Sequence, residues 1–136
     1  MTDRYCRTSN WGKLDQVDEL RVYINPAMTF ITKEESIIFE GCGCVAGINE
    51  FGPVVHPKEI DITALDQCGR QFSLRCDGIL ARVIQHEYDH LHGVGFLEKV
   101  SDLRQIVTRA YYKKNVRKSK NQTEASRMSI FEFKYV

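Results

Sequence analysis

One run of residues constrains this chain more than any other: Gln85-His86-Glu87-Tyr88-Asp89-His90-Leu91-His92-Gly93. It contains His-Glu-x-x-His. On a helix, His86 and His90 stand one turn apart on the same face and can share one metal ion. Glu87, next to the first histidine, is placed to accept a proton from water at such a site. That pattern belongs to metal-dependent hydrolysis. The residues before it support a helix. Ile79, Leu80, Val83 and Ile84 recur at helical spacing, Gly78 suits an entry and Gly93 a stop. The expected extent is Gly78 to His92, with the histidines on a buried face.

Two histidines do not complete a catalytic metal site, which usually takes three protein ligands and leaves one position to water. The third donor is sought in Glu40-Gly41-Cys42-Gly43-Cys44. Glycines flank the thiols and let the backbone come close to a metal. One of Cys42 and Cys44 can ligate while the other packs. His92 is expected at the surface. His56, before Pro57, is expected not to ligate.

Together these segments resemble peptide deformylase. That family carries Glu-Gly-Cys followed by Gln-His-Glu-x-Asp-His-Leu-x-Gly, matched here by Glu40-Gly41-Cys42 and by Gln85 to Gly93. The resemblance runs from about Val22 to Val100 and includes Ile24-Asn25-Pro26 and Ile62 to Asp66. Cys44-Val45-Ala46-Gly47 is similar to the organellar branch. The resemblance implies Cys42, His86 and His90 as metal ligands and Glu87 as general acid and base. It implies one divalent ion, ferrous iron first, with zinc, nickel or cobalt as substitutes. The implied reaction removes the N-formyl group from the initiator methionine of a nascent polypeptide and releases formate. Gly43 is the candidate for a backbone oxyanion donor.

The sequence also departs from the family pattern. No glycine- and alanine-rich motif ending in glutamine is found in Met1 to Leu20. Gly43 and Cys44 follow the Glu-Gly-Cys motif where a larger residue and a serine are usual. Gly52-Pro53-Val54 stands where Val-Pro-Arg is expected. Loss of one oxyanion donor costs on the order of 10²–10³ in rate. The alternative to an active enzyme is therefore a catalytically impaired, metal-binding relative serving as a binding or structural module. Absence of the family's first segment also predicts an apolar patch near Trp11, Val22 or Ile24, and self-association.

Composition sets the outer limits. A chain of 136 residues makes one domain, and a net charge of +1 gives no bulk pull toward nucleic acid or a membrane. No span is apolar enough to cross a bilayer. Five cysteines at uneven spacing point to a reducing compartment, cytoplasmic or mitochondrial/organellar. Cys6 and Cys68 are expected at the surface and Cys76 in the core.

Strands are expected over Leu20–Asn25, Ala27–Ile31 and Ser36–Phe39. A loop follows over Gly41–Gly52, then an extended run from Val54 to Leu65, a turn at Asp66–Gly69, and a return over Gln71–Arg75. The fold class is α+β, with antiparallel strands packed on a central helix that carries His-Glu-x-x-His. Residues 1–120 form the deformylase-like domain, without the family's N-terminal segment. Residues 121–136 are expected as a flexible tail, its aromatic end free to dock on the domain or on a partner. Leu103 to Tyr111 is read as helix against a competing strand signal. Lys113, Lys114, Arg117, Lys118 and Lys120 form a basic cluster, either a solvated face or a contact for ribosomal RNA.

Overall fold

The structure is a computed structural model that describes residues 20–30, 32–44 and 49–136. Among the described residues, seven strands form two sheets. The first has the order β1-β4-β5-β7, from β1 (Ile24–Phe30), β4 (Glu59–Leu65), β5 (Gln71–Asp77) and β7 (Ile130–Tyr135). The second has the order β2-β3-β6, from β2 (Glu35–Glu40), β3 (Glu50–Pro57) and the short β6 (Val107–Thr108). All the pairings are antiparallel.

The β4–β5 hairpin follows from strict alternation. Ile60, Ile62 and Ala64 lie across from Cys76, Leu74 and Phe72, and all six are buried. The turn is held by Asp66, whose Oδ1 accepts from the backbone N–H of Cys68 at 2.8 Å and of Arg70 at 2.9 Å. Gly69, at φ 76°, supplies the left-handed residue that the turn needs.

Helix α1 spans Gly78–Leu91, with His92 as its C-cap and Gly93 at φ 74° just beyond. Ala81 and Ile84 pack on the hairpin in the main core. The expected apolar stripe is only partly right. Val83 is exposed, and the buried face includes the polar residues Arg82 and Gln85. These polar groups are paired to the second sheet. Arg82 donates to the Val54 and Ser36 carbonyls, and Gln85 Nε2 donates to Pro57 O at 3.0 Å. One helix therefore joins both sheets, by apolar packing on one side and by hydrogen bonds on the other.

Several expectations need correction. Of the strands read over Leu20–Asn25 and Ala27–Ile31, residues 20–23 are not strand, Ile31 lies outside the described residues, and the rest forms the single β1, which is bulged between Ile24 and Ala27. Asn25 sits at φ 50° and Pro26 has no N–H to give the ladder, which explains the bulge. The run from Val54 to Leu65 divides into β3 and β4. The Leu103–Tyr111 segment is not one helix: a 3-10 turn at Leu103–Gln105 leads into β6, where Thr108 pairs with Glu50, and then into α3 (Arg109–Tyr111). Its β-branched residues found a strand partner. The short α2 (Phe96–Lys99) follows α1 in the chain.

The tail is structured rather than flexible. A π-helical turn at Tyr112–Val116 leads to α4 (Lys120–Ser126), and β7 extends the first sheet beside β5. Of the two sources of cover considered for the aromatic end, the domain itself is the one seen. Phe133 packs on Phe72 with ring centroids 5.5 Å apart. Val22 and Ile24 are exposed, as expected, whereas Trp11 and Cys6 lie outside the described residues. Cys68 is exposed and Cys76 buried, both as expected. Among the described residues no helix is long and apolar enough to cross a membrane.

Candidate active site

The site forms where the chain leaving β2 meets the polar face of α1. Glu40 ends β2, and the next two residues turn inward. Gly41 is forced by its surroundings: a Cβ there would stand 2.7 Å from the Phe51 ring. Phe51 cannot yield easily, because it stacks on Tyr112 at 4.0 Å and 3° between ring planes. Cys42 is thereby buried, in contact with Val54 and Phe96. Val54, at the position where a cleft arginine was expected, is a fully buried aliphatic residue in the wall behind this thiol.

From α1, His90 Nε2 lies 3.3 Å from Cys42 Sγ. The His86 and His90 rings sit edge to face with centroids 4.8 Å apart, and His86 stacks on Phe96. His86 Nδ1 lies 2.8 Å from Glu40 Oε1. That contact makes Nδ1 the protonated nitrogen and leaves Nε2 to face the thiol. Glu40 Oε2 accepts from Arg82 at 3.0 Å, and both side chains of this ion pair are buried. The order is thus Arg82 to Glu40 to His86, an anchored chain of charge-assisted hydrogen bonds.

The electrostatics follow from these contacts. Hydrogen bonding to Glu40 raises His86 to about 9, against the opposing effect of burial. Burial pushes the Cys42 thiol up, but the Cys44 amide together with His86 and His90 outweighs it and brings the thiol down to about 7. Cys44 is pushed up, first by its hydrogen bond and charge interaction with Cys42, and further by burial and the nearby Glu87 carboxylate. His56 is pushed below its ordinary value by burial and by Arg82, and its Nε2 lies 3.4 Å from Asp89.

Among the described residues, the donor atoms of Cys42, Cys44 and His90 all lie within 4.8 Å of one another. Soft thiolates with imidazole suit zinc or ferrous iron, and a histidine braced by a carboxylate is usual around such ions. The donor set therefore fits a transition-metal ion. Of the residues expected from the sequence, Cys42, His86 and His90 are brought together. Glu87 is exposed on the same helix, and its charge is felt at Cys44. Gly43 is exposed in the turn between the thiols, and His92 is exposed and bonded to Tyr88 O. Sequence reasoning gave Arg82 no role and did not see what Glu40 does. The available signal was an arginine inside an otherwise apolar stretch, four residues before His86 and therefore on its face.

Comparison with known proteins bears on this geometry. A family model described as polypeptide deformylase matches residues 5–105. A peptide deformylase of Treponema pallidum is 40% identical over 98 residues, covering 72% of this chain and 59% of that protein. One from Acinetobacter baumannii is 34% identical over 123 residues, covering 90% of this chain and 69% of that protein. Among solved structures, peptide deformylase 1B of Arabidopsis thaliana superposes with a TM-score of 0.56 at 36% identity, covering 60% of this chain and 44% of that one. The Plasmodium falciparum enzyme gives 0.57 at 30% identity, covering 77% and 60%. The chain spans little more than half the length of the first of these curated relatives.

Proposed function

Because this chain belongs to the polypeptide deformylase family, we propose that it is a metal-dependent hydrolase that removes the N-formyl group from N-formylmethionyl nascent polypeptides. The observation that carries this reading is the convergence of Cys42 and His90 at 3.3 Å, beside a His86 fixed by Glu40. Cys42, His86 and His90 hold the metal, which is ferrous iron by resemblance, with zinc, nickel or cobalt able to replace it. When bound, the ion supplies a Lewis acid that polarises the formyl carbonyl and makes water acidic.

The remaining work falls to side chains. Glu87 takes the proton from the attacking water and delivers it to the departing amine nitrogen. Glu40 keeps His86 in one tautomer, and Arg82 keeps Glu40 in place. The Gly43 N–H is the candidate donor for the developing oxyanion. Val54 and Phe96 exclude water from the back of the site. The test is formate release from a formyl-methionyl peptide by iron- or nickel-loaded protein. Glu87→Gln should abolish it while metal content stays the same. A Glu87→Gln protein that still releases formate would sink this role.

A second reading is favoured by one observation. Cys44 lies within the donor set, and a site closed by four protein ligands is structural rather than catalytic. On that reading the chain is an impaired relative acting as a binding module.

The substrate reading carries two further proposals. Lys113 lines an open groove of about 610 Å³ with Asn49, Thr108, Arg109 and Ala110. With Lys114, Arg117, Lys118 and Lys120 it forms the surface proposed for ribosomal contact, whose affinity should fall steeply with salt. The exposed Leu20, Val22 and Ile24 are proposed to promote self-association, readable by sedimentation across a concentration series. The described cysteines are all free, which suits the proposed reducing compartment.

A further inference from the structure

The turn after Cys42 does something that the deformylase resemblance does not call for. Gly43 and Cys44 form a turn. The Cys44 N–H then points at Cys42 Sγ at 3.5 Å. Residues two apart share a face in extended chain, and the turn keeps the second thiol beside the first. The result is a pair of sulfurs and one imidazole nitrogen within 4.8 Å of one another. Four bonds of about 2.0–2.3 Å in a tetrahedron hold ligand atoms roughly 3.3–3.8 Å apart. The 3.3 Å between Cys42 Sγ and His90 Nε2 is already in that range.

From this geometry we infer that Cys44 is a fourth ligand, closing in the resting protein the position that an open catalytic site leaves to water. The inference rests on the metal reading above and deepens it. Cys42, Cys44 and His90 lie together, and with His86, which neighbours Cys42 and His90, they would make a Cys2His2 set, the composition typical of closed zinc sites. Each thiol loses its proton to solvent as it ligates, so binding releases protons and changes no oxidation state. Two thiolates favour zinc over the harder competitors. Cys44 is exposed whereas Cys42 is buried, so Cys44 is the ligand on the solvent side. It is therefore the one an incoming substrate carbonyl would have to displace. A small hydroxyl residue in its place would leave the site open.

The experiment uses the full chain loaded with zinc and reads the metal's neighbours by X-ray absorption. Wild type should show two sulfur scatterers at about 2.3 Å and Cys44→Ser one. Alkylation followed by mass spectrometry gives an independent reading on wild type alone. Cys68, exposed on the β4–β5 turn and outside the donor cluster, should be modified equally with and without zinc. Cys44 should be modified freely without zinc and protected with it. A zinc-loaded wild type with a single sulfur neighbour and an unprotected Cys44 would overturn the inference while leaving the three-ligand reading intact. A wild type that takes up no stoichiometric zinc, nickel or iron would sink both. Once the site is loaded, formate release by Cys44→Ser should exceed that of wild type.

Discussion

Gln122 reaches back 83 residues to hold both backbone groups of Phe39: its Oε1 accepts the Phe39 N–H at 3.0 Å, and its Nε2 donates to the Phe39 carbonyl at 3.2 Å. Phe39 lies in β2, an edge strand whose ladder partner is β3. An amide side chain thus stands in for another strand and satisfies groups that would otherwise be orphaned. Glu40 and Cys42 follow directly, so α4 braces the strand that delivers the site.

Gln122→Ala should remove this brace. A buried donor and acceptor left unpaired cost about 1–3 kcal/mol, and denaturant unfolding should show a loss of that size. Hydrogen exchange at the Phe39 amide should rise at the same time. An unchanged midpoint and an unchanged Phe39 amide would mean that α4 does not support β2.

Gly78 makes the second test of the tail. It begins α1 at φ 61°, and a Cβ there would lie 2.0 Å from the Arg127 carbonyl oxygen. Gly78→Ala adds left-handed strain of about 1–3 kcal/mol to a contact that only a backbone shift relieves. That shift would pull Arg127 and Met128 off the start of α1. It would loosen the exchange in which Asp77 N–H donates to Ser129 O at 3.1 Å. Melting should fall and amide exchange in β7 should quicken. Wild-type β7 protection in Gly78→Ala would show that the tail is held elsewhere.

Much of this was legible in the sequence, and what was missed has physical causes. The β4–β5 hairpin was readable because Ile60, Ile62, Phe72 and Leu74 alternate and Asp66 to Gly69 spells a turn. The approach of Cys42 to His86 and His90 was readable because the helical period puts both imidazoles on one face and glycines flank the thiol. The tail was not readable. Residues 120–126 carry no apolar stripe, and α4 instead buries Gln122, an amide whose partner is backbone. A polar anchor leaves no periodicity. The same holds for Arg82, whose burial is stabilised by Glu40, Val54 and Ser36 from two strands remote in sequence. Val83 belongs to the apolar run and is nonetheless exposed, because an apolar residue on a helix need not be covered.

Acid should weaken the hairpin turn in a predictable direction. Burial pushes the Asp66 carboxyl up, but the Arg70 and Cys68 amides and the Arg70 guanidinium outweigh it and hold it below its ordinary 3.8. A carboxyl depressed on folding stabilises the fold above its unfolded value, and that contribution fades as pH falls through the folded value. The stability gap between wild type and Asp66→Asn should therefore be full at neutral pH and shrink below about 3.8. A gap that stays flat down to acid denaturation would show that charge at Asp66 is not what holds the turn.

The last prediction concerns Glu40, which stands between a buried arginine and a histidine of the proposed metal site. Its oxygens contact Arg82 at 3.0 Å and His86 at 2.8 Å. Removing the charge while keeping the shape, as Glu40→Gln does, leaves Arg82 buried without its counter-ion. Breaking such a pair costs about 3–5 kcal/mol. It also frees His86 to rotate and to exchange tautomers, and loss of a carboxylate behind a ligating histidine lowers metal affinity about 10–100-fold. The two effects separate by experiment. Unfolding reports the ion pair, and competition against a chelator, run where circular dichroism shows the variant folded, reports the histidine. Arg82→Met, which fills the volume but leaves Glu40 on His86, should cost stability with a smaller loss of affinity. Equal affinity for metal in wild type and folded Glu40→Gln would remove Glu40 from the site and leave it a purely structural partner of Arg82.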